Sequence, residues 1–388
     1  MKPTERVNTM LSLCRAVLGG DTPSLDELSQ ESAAELYALS HHHDLAHLVS
    51  CALFRAGRLD ITSEIGAKFQ KSQMIAVFRY ENQRVELENI CKTLEEAGID
   101  FVPLKGSELR SLYPEPWMRT SSDIDVLVHA EQLSAAQAAL CEQLDYKNEH
   151  GSDHDVSLMT PSGVHVELHF DLMEDDRLSE AAATILNEVW SHATPAEGNK
   201  HRHELSDAMF YYYHIAHMAK HFYGGGCGVR SFADLWLLIH RKEYDAAARE
   251  ALIARGNLTA FERTAVCVAD AWFSGTELSE TARDVAAYIL RGGTFGVAEN
   301  RTAVHRSRGE SKFRYVTRSI FMPYEQLCAY YPSLKGRKWL TFFYQIRRIF
   351  RLLREGKLKS GVHEIRAAGA TDEEKIDRAR DLLDRLEL

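Results

Sequence analysis

Apolar positions recur at three- and four-residue spacing through two long stretches before residue 99. These are "SLDELSQESAAELYALSHHHDLAHLVSCALFRAG" and "SEIGAKFQKSQMIAVFRYENQRVELENICKTLEEAG". Both run to a glycine, and the second reads as one long amphipathic helix closing at Gly98. The pattern then changes. "IDFVPL" is a short β-like run, Lys105-Gly106-Ser107 a turn, "ELRSLY" a short helix, "PEPWMRTSS" a loop and "DIDVLVH" a strand. "EQLSAAQAALCEQLD" returns to a helical period, and "HDVSLMTPSGVHVELHFDL" reads as a hairpin turning at Pro161-Ser162-Gly163. After about Met173 strand signals largely stop. "LSDAMFYYYHIAHMAKHFY", "VRSFADLWLLIHRK", "DAAAREALIARG" and "LTAFERTAVCVADAWF" follow as helical patterns, and the tail starts with capping-box spacing at Thr371 and Glu374. The predicted class is α+β: a small mixed β-sheet core embedded in a mostly helical protein. Its expected regions are helical 1–98, an α/β core 99–175 and helical 176–388.

Composition narrows the class of protein. The chain has 388 residues, 45% hydrophobic and 26% charged, as expected of an ordinary globular protein with more than one core. A formal charge of −10 argues against indiscriminate nucleic-acid binding by the whole molecule. The charge is uneven, however: residues 300–360 hold 15 Lys/Arg against 3 Asp/Glu. Such a segment either faces phosphates or is a solvated basic helical surface. The seven cysteines are scattered and never in C-x-x-C spacing, which fits reduced thiols rather than a disulfide framework or a zinc ribbon. No signal-peptide pattern opens the chain, and no apolar run approaches the ~18 residues of a membrane span. A cytoplasmic location and no membrane partner are the expectations.

The candidate chemistry lies where acids interrupt strand patterns. Asp123 and Asp125 stand two residues apart in "SSDIDVLV", so their side chains share one strand face while Ile124, Val126 and Val128 turn the other way, into a core. Two carboxylates about 5–7 Å apart repel by roughly 2–3 kcal/mol at an effective dielectric of about 20. In "VHVELHF", Val166, Leu168 and Phe170 take one face, and His165, Glu167, His169 and Asp171 the other. Any of those four polar residues is placed to reach a metal, and Glu167 at the centre is the choice. Three converging carboxylates call for cations between them; paired divalent metals handling a polyphosphate are the usual solution.

Other motifs are less specific. Glycine in Lys105-Gly106-Ser107 allows close approach of backbone N–H groups to a phosphate, but the same tripeptide makes ordinary turns. His214, His217, Lys220 and His221 share one side of a helix. Polar packing, a pocket lining and a zinc site are all compatible with that spacing. Arg230 and Asp234 stand at i, i+4, the geometry of a surface ion pair. His41, His42, His43 and His47 read as a solvated helix face.

Taken together, a Gly-Ser at a strand-to-helix turn, an Asp-apolar-Asp strand and a third acid on a later strand resemble the nucleotidyltransferase superfamily with the DNA polymerase β-type fold. More narrowly, "LKGSELRSLYPEPWMRTSSDIDVLV" is similar to uncharacterised bacterial nucleotidyltransferases. "HMAKHFYGGGCGVRSFADLWLLI" and "FMPYEQLCAYYPSLKGRKWL" are similar to the helical C-terminal half of that family. The resemblance implies that Gly106 and Ser107 hold the phosphates of an NTP co-substrate, that Asp123 and Asp125 coordinate two Mg²⁺, and that Glu167 is the third carboxylate. Lys105 and Arg119 would neutralise the triphosphate, with Ser122, Lys220, Arg230 and Asp234 completing the nucleotide-binding set. Two departures stand out: the spacing from Ser107 to Asp123 is longer than is common in the superfamily, and Glu108 puts an acid beside the phosphate turn. The implied activity is transfer of an NMP to a hydroxyl, on a small molecule first, on a protein or RNA next. A catalytically degenerate nucleotide-binding module is the non-enzymatic alternative.

Overall fold

The computed structural model describes residues 2–152, 154–173, 178–240, 243–293, 298–307, short stretches between 321 and 334, 336–354 and 373–388. Thr371 of the expected capping box and much of the basic stretch 300–360 lie outside the described residues.

Four helices precede the sheet: α1 (Pro3–Gly19), α2 (Gln30–His42), α3 (Ala46–Arg55) and α4 (Glu64–Glu96). The last is the single long helix its periodicity predicts. It starts where the Ser63 hydroxyl accepts the Gly66 N–H at 3.1 Å and closes before Gly98, whose φ of 70° suits only glycine well. The earlier helical stretch is broken in two between α2 and α3, where Asp44 adopts φ 55°. That break turns His43 and His47 inward; both are buried, so the solvated histidine face expected there holds only for His41 and His42. His47 donates through Nε2 to the Met118 carbonyl at 2.8 Å, a partner 71 residues away that local pattern cannot reveal.

The sheet is five-stranded and mixed, ordered β1-β2-β5-β4-β3: β1 (Phe101–Pro103), β2 (Asp123–Val128), β3 (Lys147–Gly151), β4 (Asp155–Met159) and β5 (His165–His169). β2 runs antiparallel to β1 and parallel to β5, while β4 pairs antiparallel with both β5 and β3. The predicted hairpin is β4–β5. The edge strand β3 has the sequence KNEHG, which is polar throughout and carries no alternation to read. A separate two-stranded ribbon, β6 (Ala193–Pro195) and β7 (His203–Leu205), lies within the region expected to be helical. Three residues per strand are too few for a period of two to show.

Between β1 and β2 lies the four-residue helix α5 (Gly106–Leu109), and α6 (Leu133–Leu144) follows β2. One sheet face packs on α4 and α6: Ile124, Val126, Val128, Val166 and Leu168 meet Ile90, Leu94, Ala136 and Leu140 in a dry core. The remaining helices include α7 (Glu180–Asn187), α8 (Asp207–Tyr223), α9 (Gly228–His240), α10 (Ala246–Arg255), α11 (Thr259–Phe273), α12 (Glu280–Gly292) and α13 (Ala298–Ser307). They are followed by α14 (Thr341–Arg354) and α15 (Glu373–Arg385). Helices from both ends of the chain share one core: Met10 and Val17 of α1 and Val49 of α3 lie in the same cluster as Tyr212 of α8, Phe232 of α9, Val268 of α11 and Leu383 of α15. That core holds α8 and α9 across the second face of the sheet.

Candidate active site

Strand pairing brings the acids together. β2 and β5 are parallel neighbours in a register that sets Asp125 opposite Glu167 and Ile124 opposite Val166. Neighbouring strands stand about 4.8 Å apart, so the two carboxylates emerge side by side on the face away from the dry core. Asp123, two residues before Asp125, joins them, and all three line one cleft with a cavity volume of about 220 Å³. The alternation read from the sequence therefore holds on both strands. It also delivers His169, whose Nε2 is 3.0 Å from Asp125 Oδ1 and 3.4 Å from Glu167 Oε2.

The charges in this cluster are strongly interdependent. Burial, then the negative charges of Asp125 and Glu167, raise the Asp123 carboxyl above its ordinary range. Burial alone would raise Asp125 too, but the Lys105 ammonium at 3.5 Å and the His169 hydrogen bond overcome it and hold Asp125 well below the usual carboxylate range. Burial pulls the other way on His169, and its contacts to Asp125 and Glu167 prevail, pushing it up to about 9. Lys105 and His169 thus neutralise the carboxylates in this structure. Lys105 has φ 41°, an uncommon conformation for a residue with a side chain, and its ammonium also lies 5.8 Å from the centre of the Tyr213 ring.

The opposite wall belongs to α8 and α9. His217 and His221 face the cleft one turn apart, Nε2 to Nε2 at 3.0 Å, so one ring donates and the other accepts. Burial, then the positive Lys105 and the neighbouring His221 and Lys220, keep His217 well below its ordinary pKa. Lys220 is buried at the same wall. His214 lines the same cleft and donates to the Ser231 carbonyl at 3.1 Å. The described residues place no three of these helical histidines within metal-ligating distance of one another; the group that qualifies is Asp125, Glu167 and His169, with ligand atoms within 4.8 Å.

The loop before β2 is strapped to the helices on every side. Arg119 donates to Asp234 through Nε (3.0 Å) and Nη2 (3.1 Å), and the Tyr113 hydroxyl donates to the same carboxylate at 2.7 Å. Arg119 and Asp234 are both buried, so this is a desolvated, bidentate pair. The expected Arg230–Asp234 surface pair gives way to it: Arg230 instead donates to the Thr120 carbonyl at 2.9 Å and reaches Asp44 at 3.4 Å. Gly106 has a specific steric reason. A Cβ there would come within 2.6 Å of Arg119 Nη1 and 3.4 Å of Ser121 Oγ. On the other side, Arg110 bonds Gln83 of α4 and, at 2.7 Å, Ser121, whose hydroxyl donates to the Asp123 carbonyl at 3.0 Å.

Of the residues expected to touch nucleotide, Lys105, Gly106, Arg119, Ser122, Lys220, Arg230 and Asp234 line the cleft with the three acids. Ser107 is not among the lining residues, and its N–H is taken by the Leu104 carbonyl at 3.1 Å. Arg110, Gln83, Ser121 and Tyr113 escaped sequence reasoning. Their roles rest on contacts across the fold, and a lone Gln83 inside a long helix carries no sign of its partner.

The donor set suits a hard divalent cation: carboxylate oxygens predominate, they crowd one another, and burial together with that crowding raises Asp123. A small mixed sheet carries the three acids on one face, beside a glycine turn, the arrangement expected from the resemblance to nucleotidyltransferases. Residues 29–274 match the model of a family described as "Uncharacterised nucleotidyltransferase", and the chain belongs to that family. No curated protein matches it. Among solved structures, the solution structure of the antibiotic-resistance factor ANT(2'')-Ia is similar over 50% of this chain and 93% of that one, at 13% identity and a TM-score of 0.27, too distant to carry an argument. All seven cysteines are free, and no described helix is long and apolar enough to cross a membrane.

Proposed function

We propose that this protein transfers an NMP from an NTP to a hydroxyl group of an acceptor, with divalent metal bound by Asp123, Asp125 and Glu167. The observation that carries the reading is the β2–β5 register, which sets Asp125 beside Glu167 on a sheet face that is open to a cleft. Magnesium held there would supply positive charge to the triphosphate and the leaving pyrophosphate.

The chain's own groups then have separable roles. His169 fixes the orientation of Asp125 and Glu167 through Nε2. Lys105 neutralises Asp125 and lies beside the Gly106 turn, where its charge would pass to phosphate oxygens once a metal takes over the carboxylate. Lys220 and Arg230 add positive charge to the opposite wall. Glu167, more exposed than Asp125, is the group to accept the proton of the attacking hydroxyl. Arg119 has two donor positions committed to Asp234, so it acts chiefly by holding Gly106 and the loop in place. A small hydroxyl-bearing acceptor in a reducing, cytosolic setting is the favoured pairing, ahead of protein or RNA.

The test is direct. Purified protein with Mg²⁺ and each of the four NTPs should bind nucleotide, and with an acceptor should release pyrophosphate, with an NMP mass added to the acceptor. Nucleotide binding that does not require divalent metal would overturn the reading.

A further inference from the structure

No described residue of the basic stretch 300–360 lines the cleft, and the helix α14 within it is built the wrong way round for packing on its own chain. α14 reads TFFYQIRRIFRLLR, with Arg337, Lys338 and Trp339 just before it. Phe342, Ile346 and Phe350 recur at four-residue spacing, and Trp339 and Phe343 fall on the same side. In a soluble helix that stripe packs inward. Here it faces solvent: these five residues are between 37% and 75% exposed. The polar side packs instead. Gln345 is buried, Tyr344 and Arg348 are half-buried, the Tyr344 hydroxyl meets Ser333 Oγ at 2.8 Å, and Arg347 and Arg351 lie over the Tyr331 ring.

Charge says what covers the stripe. Residues 337–354 hold six Arg or Lys and no acid, in a chain whose formal charge is −10. Two copies of this helix meeting face to face would set arginine rims against each other, which disfavours self-association. A nucleic acid would satisfy the arginines but leave Ile346 and most of the phenylalanine surface in water. An anionic lipid surface satisfies both: phenylalanine, isoleucine and tryptophan enter the headgroup boundary while the exposed Arg337 and Lys338 beside Trp339 meet lipid phosphates. That no described helix is long and apolar enough to cross a membrane bears on spanning and not on lying in the interface.

We propose that α14 with Arg337–Trp339 is a membrane-surface element that docks this protein on anionic lipid. The full-length protein is mixed with vesicles of phosphatidylglycerol and phosphatidylcholine in equal parts, with vesicles of phosphatidylcholine alone, and with single-stranded RNA, and partition is read by flotation and filter binding. The expected result is binding to the anionic vesicles at least ~10-fold tighter than to the neutral ones, weakened by salt, with a blue shift in tryptophan emission that is lost in Trp339→Phe. The pair Phe342→Glu and Phe350→Glu should lose at least ~10-fold in partition with unchanged far-UV circular dichroism, since both side chains are already exposed. Equal partition to both vesicle types, an undiminished double variant, or binding of RNA but not of vesicles would overturn the proposal. So would a concentration-dependent dimer, abolished by the same two substitutions, with no affinity for lipid.

Discussion

The two faces of the central sheet are made from the same two strands and behave as different materials. On one, Ile124, Val126, Val166 and Leu168 pack against α4 and α6 with essentially no exposure. On the other, one residue along each strand, Asp125 and Glu167 face a cleft with Lys105 beside them, and the buried His169 pairs with Asp125. The dry face stabilises by excluding water and is indifferent to which apolar group does so, within the limits of volume. The polar face costs stability on its own, because three carboxylates approach one another, and is held together by counter-charges supplied from elsewhere in the chain. The comparison shows how a short strand can carry fold and chemistry at once: a period of two assigns them to opposite sides.

Substitutions on each face should therefore separate stability from activity, and the largest separation is expected at Asp125. Asp125→Asn should lower pyrophosphate release by about a thousandfold or more, comparable with loss of one electrostatic group at a reacting centre, while cooperative melting persists. Turnover surviving that change would mean the polar face is not the site. Next is Asp234→Ala, which leaves the buried Arg119 guanidinium without its carboxylate and should cost about 3–5 kcal/mol in denaturant unfolding. A loss below ~1 kcal/mol would show the pair to be better solvated than its burial implies.

On the dry face, Leu168→Ala should cost about 3 kcal/mol of stability but leave the nucleotide Kd unchanged, measured by titration on the folded fraction. His169→Gln crosses between the two categories. It should weaken Mn²⁺ binding by about 10–100-fold through loss of orientation of Asp125 and Glu167. It should also change the pH dependence of the metal-free protein. His169 is raised to about 9 in the fold, against an unfolded value near 6.5, so its contribution is fully present below about 6.5 and is lost as pH rises through 9. Melting temperature should thus fall from pH 7 to 9 in the wild type and stay flatter in the variant. The smallest effect belongs to Ser107→Ala, off the cleft lining, for which less than ~1 kcal/mol in nucleotide binding is expected. A tenfold weaker nucleotide Kd there would restore Ser107 as a phosphate ligand.

Much of this was legible in one dimension. α4, the β4–β5 hairpin, the successive helices after Ser206 and the sidedness of β2 and β5 follow from hydrophobic period, caps and turn residues, which are local properties. The polar edge strand β3 and the three-residue strands β6 and β7 were not, because they have too little alternation to stand out. The inward histidines at 43 and 47 were misjudged for a related reason: the chain reverses at Asp44, and a helical wheel drawn through a break points the wrong way.

The amino-acid sequence by itself determined that Asp123 and Asp125 share a face, that Glu167 and His169 share another, and that apolar neighbours oppose them, because side-chain direction along a strand is set by backbone geometry alone. Only the tertiary structure decided that the two faces are the same face of one sheet, through a parallel register between strands some 40 residues apart. It also decided that Arg119 pairs with Asp234, 115 residues away, and that Lys105 sits on Asp125. Long-range pairing depends on the packing of whole elements against one another, and no local spacing encodes the partner of a charged side chain.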